Sequence, residues 1–465
     1  MQRLFFIFSP YQYHFMKKHV HLLLLLLLFT PSLKSQTNVL KTMTDSVREH
    51  PKTGYNFGAL PIVGFSTDVG FLYGLVFNVF NYGSGKIYPK YYQNLYMEVT
   101  RTSKGGKTFQ MFYDSEYLIK GVRFTADISH LTEQALPFYG FNGSQSVYVP
   151  QSEDDRSNAY ISRMFYRYDR KLTRLLINLQ GPLGITGLKW VGGVQSINFK
   201  TDSVNIAALN KGLKGSDKLP HITGLYDDYI KWGLIDNGEK HGGVINFLLL
   251  GTVYDTRDNE PNPNKGIWSE AVMAIAPGEV NPEKGFTRLS ITHRQYFTII
   301  PKRLTLACRL NWQQTTSGKT PFYFLSYQLK SKPFSTTIDG LGGANTIRGI
   351  LRNRLTADGM LLGNAEFRYK AWQTYWHRQN FYIALTSFYD AGMITKKRVV
   401  DLSLVPLADK QKYFNENSTG HITQSAGVGM HVVMNQNFNV AFDYGKAFSK
   451  VDGSSGFYVS IGYLF

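Results

Sequence analysis

The feature that most constrains this chain is a two-residue alternation of apolar and polar side chains that recurs from Phe57 to the C-terminus. In residues 122–129 the apolar row is Val122, Phe124, Ala126 and Ile128, and the polar row is Arg123, Thr125, Asp127 and Ser129. Residues 304–313 set Leu304, Leu306, Cys308, Leu310 and Trp312 against Thr305, Ala307, Arg309, Asn311 and Gln313. Residues 361–369 do the same, with Glu366 and Arg368 on the polar face. Side chains on a strand point alternately to opposite faces, so this period demands strands with one apolar and one polar face. A soluble sandwich turns the polar face outward, whereas a membrane barrel turns it inward and gives the apolar face to lipid. Composition separates the two. Aromatics make up 15% of the chain, with 30 Tyr and 32 Phe, yet the mean hydropathy is only −0.22. The uninterrupted apolar run, Leu22 to Phe29, falls well short of the roughly 20 residues a spanning helix needs. The expectation is an all-β fold: a transmembrane antiparallel barrel.

The N-terminus reads as an export signal. Lys17 and Lys18 precede the apolar stretch, and Ser35 precedes a cleavage point before Gln36. Met16 stands directly before the lysines and is an alternative start. The expected organisation is a signal peptide over 1–35, a short periplasmic segment over 36–54 and a barrel over 55–465. Cys308 is the single cysteine, which excludes an intramolecular disulfide and Cys-x-x-Cys metal sites. The net charge is +18. No Lys/Arg-rich run or recognition helix accompanies it, so nucleic acid is not expected as a partner. Outer-membrane lipid and lipopolysaccharide are the expected counter-charges.

About sixteen strands are predicted, near 55–65, 69–80, 91–102, 106–117, 120–130, 158–171, 183–199 and 242–254 in the first half. The second half holds 266–277, 286–299, 303–315, 359–371, 379–391, 423–434, 436–447 and 455–465. If both termini are periplasmic, the long connections around 131–157, 200–241, 316–358 and 392–422 all face outward. The opposite connections are mostly tight, the asymmetry expected of outer-membrane barrels. Phe457, Val459, Ile461, Tyr463 and Phe465 share one face of the last strand, which reads as a C-terminal insertion signal recognised by strand addition.

The connection before the twelfth strand contains Gly340-Leu-Gly-Gly-Ala-Asn-Thr-Ile-Arg-Gly-Ile350, followed by Gly363-Asn-Ala-Glu-Phe-Arg368 and Phe388-Tyr-Asp-Ala-Gly392. Upstream stands Tyr254-Asp-Thr-Arg-Asp-Asn-Glu-Pro-Asn-Pro-Asn-Lys-Gly266. As an ordered set, these motifs resemble the BamA/TamA family of outer-membrane assembly barrels, the bacterial surface antigen superfamily. The resemblance runs from about Tyr254 to Phe465; the first half fits by strand pattern alone. It implies that the loop folds into the lumen, where Arg348, with Gly349, meets Asp390, with Glu366 as the next acceptor. Asp390 alternates with Phe388 and Thr386 opposite Leu385, which places it inward, and an inward carboxylate suits a bidentate arginine. Gly342, Gly343 and Gly349 allow the sharp turns. The family's aromatic after the Arg-Gly pair is replaced here by Ile350. Asp255, Arg257, Asp258 and Gly266 read as a periplasmic turn with a structural ion pair rather than a metal site.

No Gly-x-Ser-x-Gly elbow, His-Glu-x-x-His or phosphate loop occurs, so neither an enzyme nor a bound cofactor or metal is expected. His130, His293 and His431 read as structural; only the loop residues His221, His241 and His421 could supply a dyad to a barrel enzyme. The resemblance implies assembly or translocation at the outer membrane, by a seam between first and last strands that opens to a client strand. The family's periplasmic client-binding domains have no counterpart in 36–54, so a periplasmic or outer-membrane protein partner is expected to supply that task. The alternative is a passive pore or a structural subunit of an envelope complex.

Overall fold

Strand after strand, the polar row of the alternation lies on the inside of a closed sheet. The structure, a computed structural model, describes residues 51–465 except 89, 282–284, 333–338, 378, 419 and 437. The expected signal peptide and residues 36–50 lie outside the described residues. Eight strands make the first half: β1 (Tyr55–Ser66), β2 (Gly70–Asn81), β3 (Gln93–Thr102), β4 (Lys107–Ile119), β5 (Val122–Pro137), β6 (Arg167–Pro182), β7 (Leu188–Asp202) and β8 (Gly242–Asp255). The second half is β9 (Gly266–Ala276), β10 (Phe286–Ile300), β11 (Leu304–Gly318), β12 (Gly359–Trp376), β13 (Gln379–Lys396), β14 (Thr423–Met434), β15 (Phe438–Ala447) and β16 (Ser455–Ile461). Each strand pairs antiparallel with its neighbours in sequence, and β16 returns to β1. With sixteen strands, both ends of the barrel sequence lie at one rim, here the terminal end; the other rim is the loop end.

Two expectations are corrected. The sixth strand runs over 167–182 instead of 158–171. Its alternation buries Tyr168, Arg170, Leu172, Arg174 and Leu176, and Arg170 Nε donates to Glu133 Oε2 on β5 at 3.0 Å. Residues 158–166 instead join the loop end. The last strand stops at Ile461 rather than Phe465, because Gly462 turns the chain at φ +88°.

Facing decides the energetics. On β5, Thr125, Asp127 and Ser129 are buried while Ile128 is 50% exposed on the outside. Cys308 lies in the outward row of β11, between the buried Ala307 and Arg309. Among the described residues the lumen is packed with side chains and loop backbone, and several of its arginines find partners on the wall and the loops. Arg174 Nε donates to Asp127 Oδ1 at 2.8 Å, and Arg288 donates to the carbonyls of Phe324 and Leu325 at 3.0 Å each. A buried charge without such partners costs several kcal/mol (about 3–5 when one partner is removed), so this pairing is a condition of the packing.

The main apolar core sits at the loop end. The connections 138–166, 203–241 and 397–418, with residues 319–329 of the β11–β12 connection, fold over the mouth as an aromatic roof. Phe138 meets Tyr229 edge-on at 5.1 Å, and Phe324 stacks on Tyr327 at 4.7 Å. At the terminal end, two connections are longer than tight turns and cross the floor. Tyr88 Oη, in the β2–β3 connection, donates to the Asn435 carbonyl at 3.1 Å. Asn259, in the β8–β9 connection, donates to Gln436 Oε1 at 3.0 Å.

Candidate functional site

The β11–β12 connection starts in the roof at Phe322–Phe324 and descends through the lumen. Ser331 N donates to Glu270 Oε2 at 2.9 Å, and Lys332 Nζ reaches Asp114 at 3.0 Å and Glu260 at 3.2 Å. From Asp339 the chain forms a compact hairpin. Leu341 and Leu355 bridge, Gly343 N donates to the Ile350 carbonyl at 3.0 Å, and Thr346 Oγ1 accepts the Gly342 N–H at 2.8 Å. Gly342 has φ +111°, and a Cβ there would meet the Leu351 carbonyl oxygen at 2.0 Å. Ile350, where the family pattern has an aromatic, is 2% exposed beside Leu341, Ile347 and Leu355.

The hairpin delivers Arg348 to the barrel wall, where its side chain is 1% exposed. Nε donates to Asp390 Oδ2 at 2.9 Å and Nη2 to Asp390 Oδ1 at 3.1 Å, a two-pronged pair. Nη1 donates to Glu366 Oε2 at 3.0 Å and to Asp443 Oδ2 at 3.1 Å. The guanidinium also lies 3.3 Å from the centroid of the Phe388 ring, a cation–π contact strengthened by desolvation. The acids are shared outward: Glu366 also accepts from Arg368 Nε at 2.8 Å, and His431 Nε2 lies 3.1 Å from Asp443 Oδ1. Sequence reasoning named Arg348, Asp390 and Glu366 but not Asp443 or the stacking Phe388. The alternation of Phe442-Asp443-Tyr444 carried the signal, since both aromatics point outward.

Gly349 (φ +91°) lies against Gly445 of β15, where a Cβ on Gly445 would sit 2.7 Å from the Arg348 carbonyl carbon and oxygen. Backbone cannot yield as a side-chain tip can. Gly445→Ala is therefore expected to push the hairpin off the wall and cost about 1–3 kcal/mol, read as a lower urea midpoint for heat-modifiable migration. Gly363→Ala, whose Cβ would meet only Leu310 Cδ1 at 3.9 Å, serves as the control. Equal midpoints for the two variants would refute the close approach.

The hairpin lies beside the seam. Strands β1 and β16 share a single registered pair among the described residues, Ser66 with Tyr458, whereas β15 and β16 share seven and β1 and β2 twelve. Next to that pair, Thr67 N donates to the Phe457 carbonyl at 3.1 Å. Gly54 exchanges hydrogen bonds with the β2 side, so alternate residues from Tyr55 to Thr67 turn their backbone groups to the seam. Pro61 occupies one of those positions and has no N–H to offer. Asp68, in the β1–β2 turn, accepts the Ala344 N–H at 3.0 Å. Burial pushes its carboxyl up to about 6, against the opposing pull of Arg352.

The chain's end departs from the single outward face expected for Phe457, Val459, Ile461, Tyr463 and Phe465. The first three pair with Tyr444, Phe442 and Val440 of β15. Then Gly462 takes φ +88°, and the last residues leave the wall for the lumen. Arg368 lies 4.0 Å from the Tyr463 ring centroid and 5.3 Å from that of Phe465, and its Nη2 donates to the Phe465 carbonyl at 3.1 Å. Phe465 is 6% exposed beside Tyr296 and Ala307. Arg309 lies 5.0 Å from the Phe465 centroid and donates to the Leu464 carbonyl at 3.3 Å; period-two alternation sees only the strand, and cannot see two interior arginines offering cations to the rings and N–H groups to the carbonyls.

In the β8–β9 connection, Arg257 Nε and Nη2 donate to Asp255 at 2.9 and 2.8 Å. Asp258 Oδ1 accepts the Asn264 N–H at 3.0 Å, and Gly266 holds φ +101°. The same connection sends Glu260 to Arg123 Nη2 at 2.9 Å, which ties the floor to β5 and to Lys332. Among the described residues no group of His, Cys, Asp and Glu is placed to hold a metal. His421 lies 2.5 Å from Asp452, and that hydrogen bond raises the imidazole's pKa. Thr423 Oγ1 bonds the same carboxylate oxygen at 2.8 Å. Thr423 Oγ1 also lies 3.4 Å from His421 Nε2, so hydroxyl, imidazole and the buried Asp452 carboxylate form one hydrogen-bonded cluster.

The profile of the Omp85 superfamily domain matches residues 193–465. A search of curated proteins returns no match. Among solved structures, the barrel is similar to CdiB from Escherichia coli, with TM-score 0.52 and 11% identity over 90% of this chain and 64% of that one. It is also similar to BamA from Haemophilus ducreyi lacking POTRA domains 1–3, with TM-score 0.49 and 14% identity over 89% of this chain and 71% of that one. The chain thus spans under two thirds of the CdiB chain, and the likeness at such identity concerns the fold alone.

Proposed function

The chain belongs to the Omp85 superfamily, a family of non-enzymatic outer-membrane barrels, and from that premise we propose that it assembles or translocates other proteins through the seam between β1 and β16. The observation that carries the reading is the single registered pair across that seam beside the seven of its neighbour. An unpaired strand edge is a template for an incoming strand. Here the β1 edge from Tyr55 towards Phe65 is such a template, interrupted only at Pro61. Both barrel termini face the periplasm in this reading, so a client arriving there meets the open part of the edge first, and a partner protein delivers it. The Arg348 cluster is the latch that holds the lumenal loop, and the last strand up to Ile461 carries the insertion signal. The aromatic roof and the crossed floor argue against free diffusion through the lumen, hence against a passive pore.

The test uses a lock built from the seam's own geometry. A Cβ on Gly64 would lie 3.6 Å from Val459 Cβ, within the range of a disulfide. In a Cys308→Ser background, Gly64→Cys with Val459→Cys is expected to close the seam on oxidation. Proteoliposomes holding the reduced protein should speed the folding of an added unfolded barrel several-fold over empty vesicles. The oxidised form should not, and reductant should restore the effect. Equal folding rates in all vesicles would defeat the proposal.

A further inference from the structure

The weak seam raises the question of what keeps it shut, and the loop's contacts on its two sides supply an answer. On the β16 side the hairpin is held several times. Gly349 N donates to Tyr458 Oη at 2.9 Å, Leu351 N donates to the Asp452 carbonyl at 2.9 Å, Ile350 bridges Gly453, and Arg348 binds Asp443 of β15. On the β1 side, among the described residues, the tie is one hydrogen bond, from Ala344 N to Asp68 Oδ2, with the hairpin's Arg352 attracting the same carboxylate. The fit around it is close: a Cβ on Gly343 would lie 2.8 Å from the same carboxylate oxygen. Both ties sit at the one registered pair found among the described residues: Tyr458 belongs to it, and Asp68 lies two residues beyond its partner Ser66, whose hydroxyl oxygen accepts the Asp68 N–H at 3.1 Å.

We infer that residues 344–349 of the lumenal loop are an inner clasp across the seam, joining the β1–β2 turn through Asp68 to β16 through Tyr458, so that the seam opens when this clasp is released. The inference rests on the proposed seam function but concerns the closed state, which needs no client. The two ties are unequal. The β16 side shares the load among several backbone bonds and the Arg348 cluster, while the β1 side depends on a single carboxylate. Release therefore begins at Asp68. A third element bridging two edges supplies what their own ladder lacks, because each strand pair is otherwise held by a continuous row of backbone bonds.

The experiment measures the seam without any client. In the full-length Cys308→Ser protein in nanodiscs, spin labels replace Phe71 on β2 and Tyr444 on β15, which are 47% exposed each on the outer face. Pulsed EPR then gives the distance across the seam. Asp68→Ala and Tyr458→Phe are each expected to lengthen and broaden that distribution, with the larger change for Asp68→Ala. Asp68→Asn, which keeps an acceptor oxygen, should stay near the parent. Joining Asp68→Cys to Ala344→Cys with a short cleavable thiol cross-linker should hold the parent distance, and should hold it even with Tyr458→Phe present. Unchanged distances in Asp68→Ala, with heat-modifiable folding intact, would overturn the clasp; so would a change confined to Tyr458→Phe. If the distances follow the expected pattern while client folding is indifferent to all variants, the clasp stands and the assembly reading fails.

Discussion

Arg348→Ala is expected to cost about 3–5 kcal/mol of stability, because it leaves buried carboxylates without their shared cation. The three acids do not suffer equally. Glu366 keeps Arg368 at 2.8 Å, and Asp443 keeps His431 at 3.1 Å. Asp390 keeps only neutral hydrogen-bond donors, the Asn364 amide at 2.7 Å and the backbone N–H of residue 348 at 3.1 Å. Asp390 is thus the acid whose charge loses most, and Asp390→Asn added to Arg348→Ala should recover much of the loss. Arg348→Lys should recover less, since an ammonium cannot present two parallel N–H groups to Asp390 while serving Glu366 and Asp443. The strand ladders are untouched, so the barrel still folds. The damage appears as a lower urea midpoint and as tryptic cleavage after Arg352 and Arg354, which are buried in the intact loop. A trypsin-resistant loop with an unchanged midpoint would show that the cluster does not hold it.

The second large effect lies on the outside. Ile128→Arg, at a residue 50% exposed on the outer face of β5, is expected to cost about 2–4 kcal/mol if the site lies near the bilayer midplane, and Leu306→Arg on β11 likewise. Ile128→Leu at the same position should be nearly neutral. The measurement is reversible unfolding from lipid vesicles. Equal stabilities for Ile128→Arg and Ile128→Leu would mean that this face does not meet lipid. Alternation alone suggests that an arginine at the inward Thr125 would be harmless, as in a water-filled lumen. The structure reverses that expectation. Thr125 is fully buried and donates to Asp114 Oδ1 at 2.8 Å. That carboxylate already serves Arg123 and Lys332, so a third cation would enter a filled site.

Which parts were legible follows from the range of the interactions that fix them. The strand at Val122–Ser129 could be placed because its facing is written in adjacent residues. The start of the sixth strand is not legible in this way, because it follows from pairing with β5, where Arg167 meets Pro137 and Arg170 meets Glu133, 37 positions away. Arg348 and Asp390, 42 positions apart, could be paired because each stands in one of the motifs that carry the family resemblance. Asp443 carries no such motif, and its place in the cluster follows only from β15 lying two strands from β13.

By itself, then, the sequence determined a closed antiparallel barrel, the facing of its strands and the identity of the lumenal arginine, since period-two patterning and local turn chemistry act within a few residues. The tertiary structure alone decided that the lumen is packed, that Phe465 turns inward, and that one loop touches both edges of the seam. These depend on which side chains a closed circle of strands brings face to face. Asp68 and Ala344 stand 276 positions apart, and only closure of the barrel makes them neighbours.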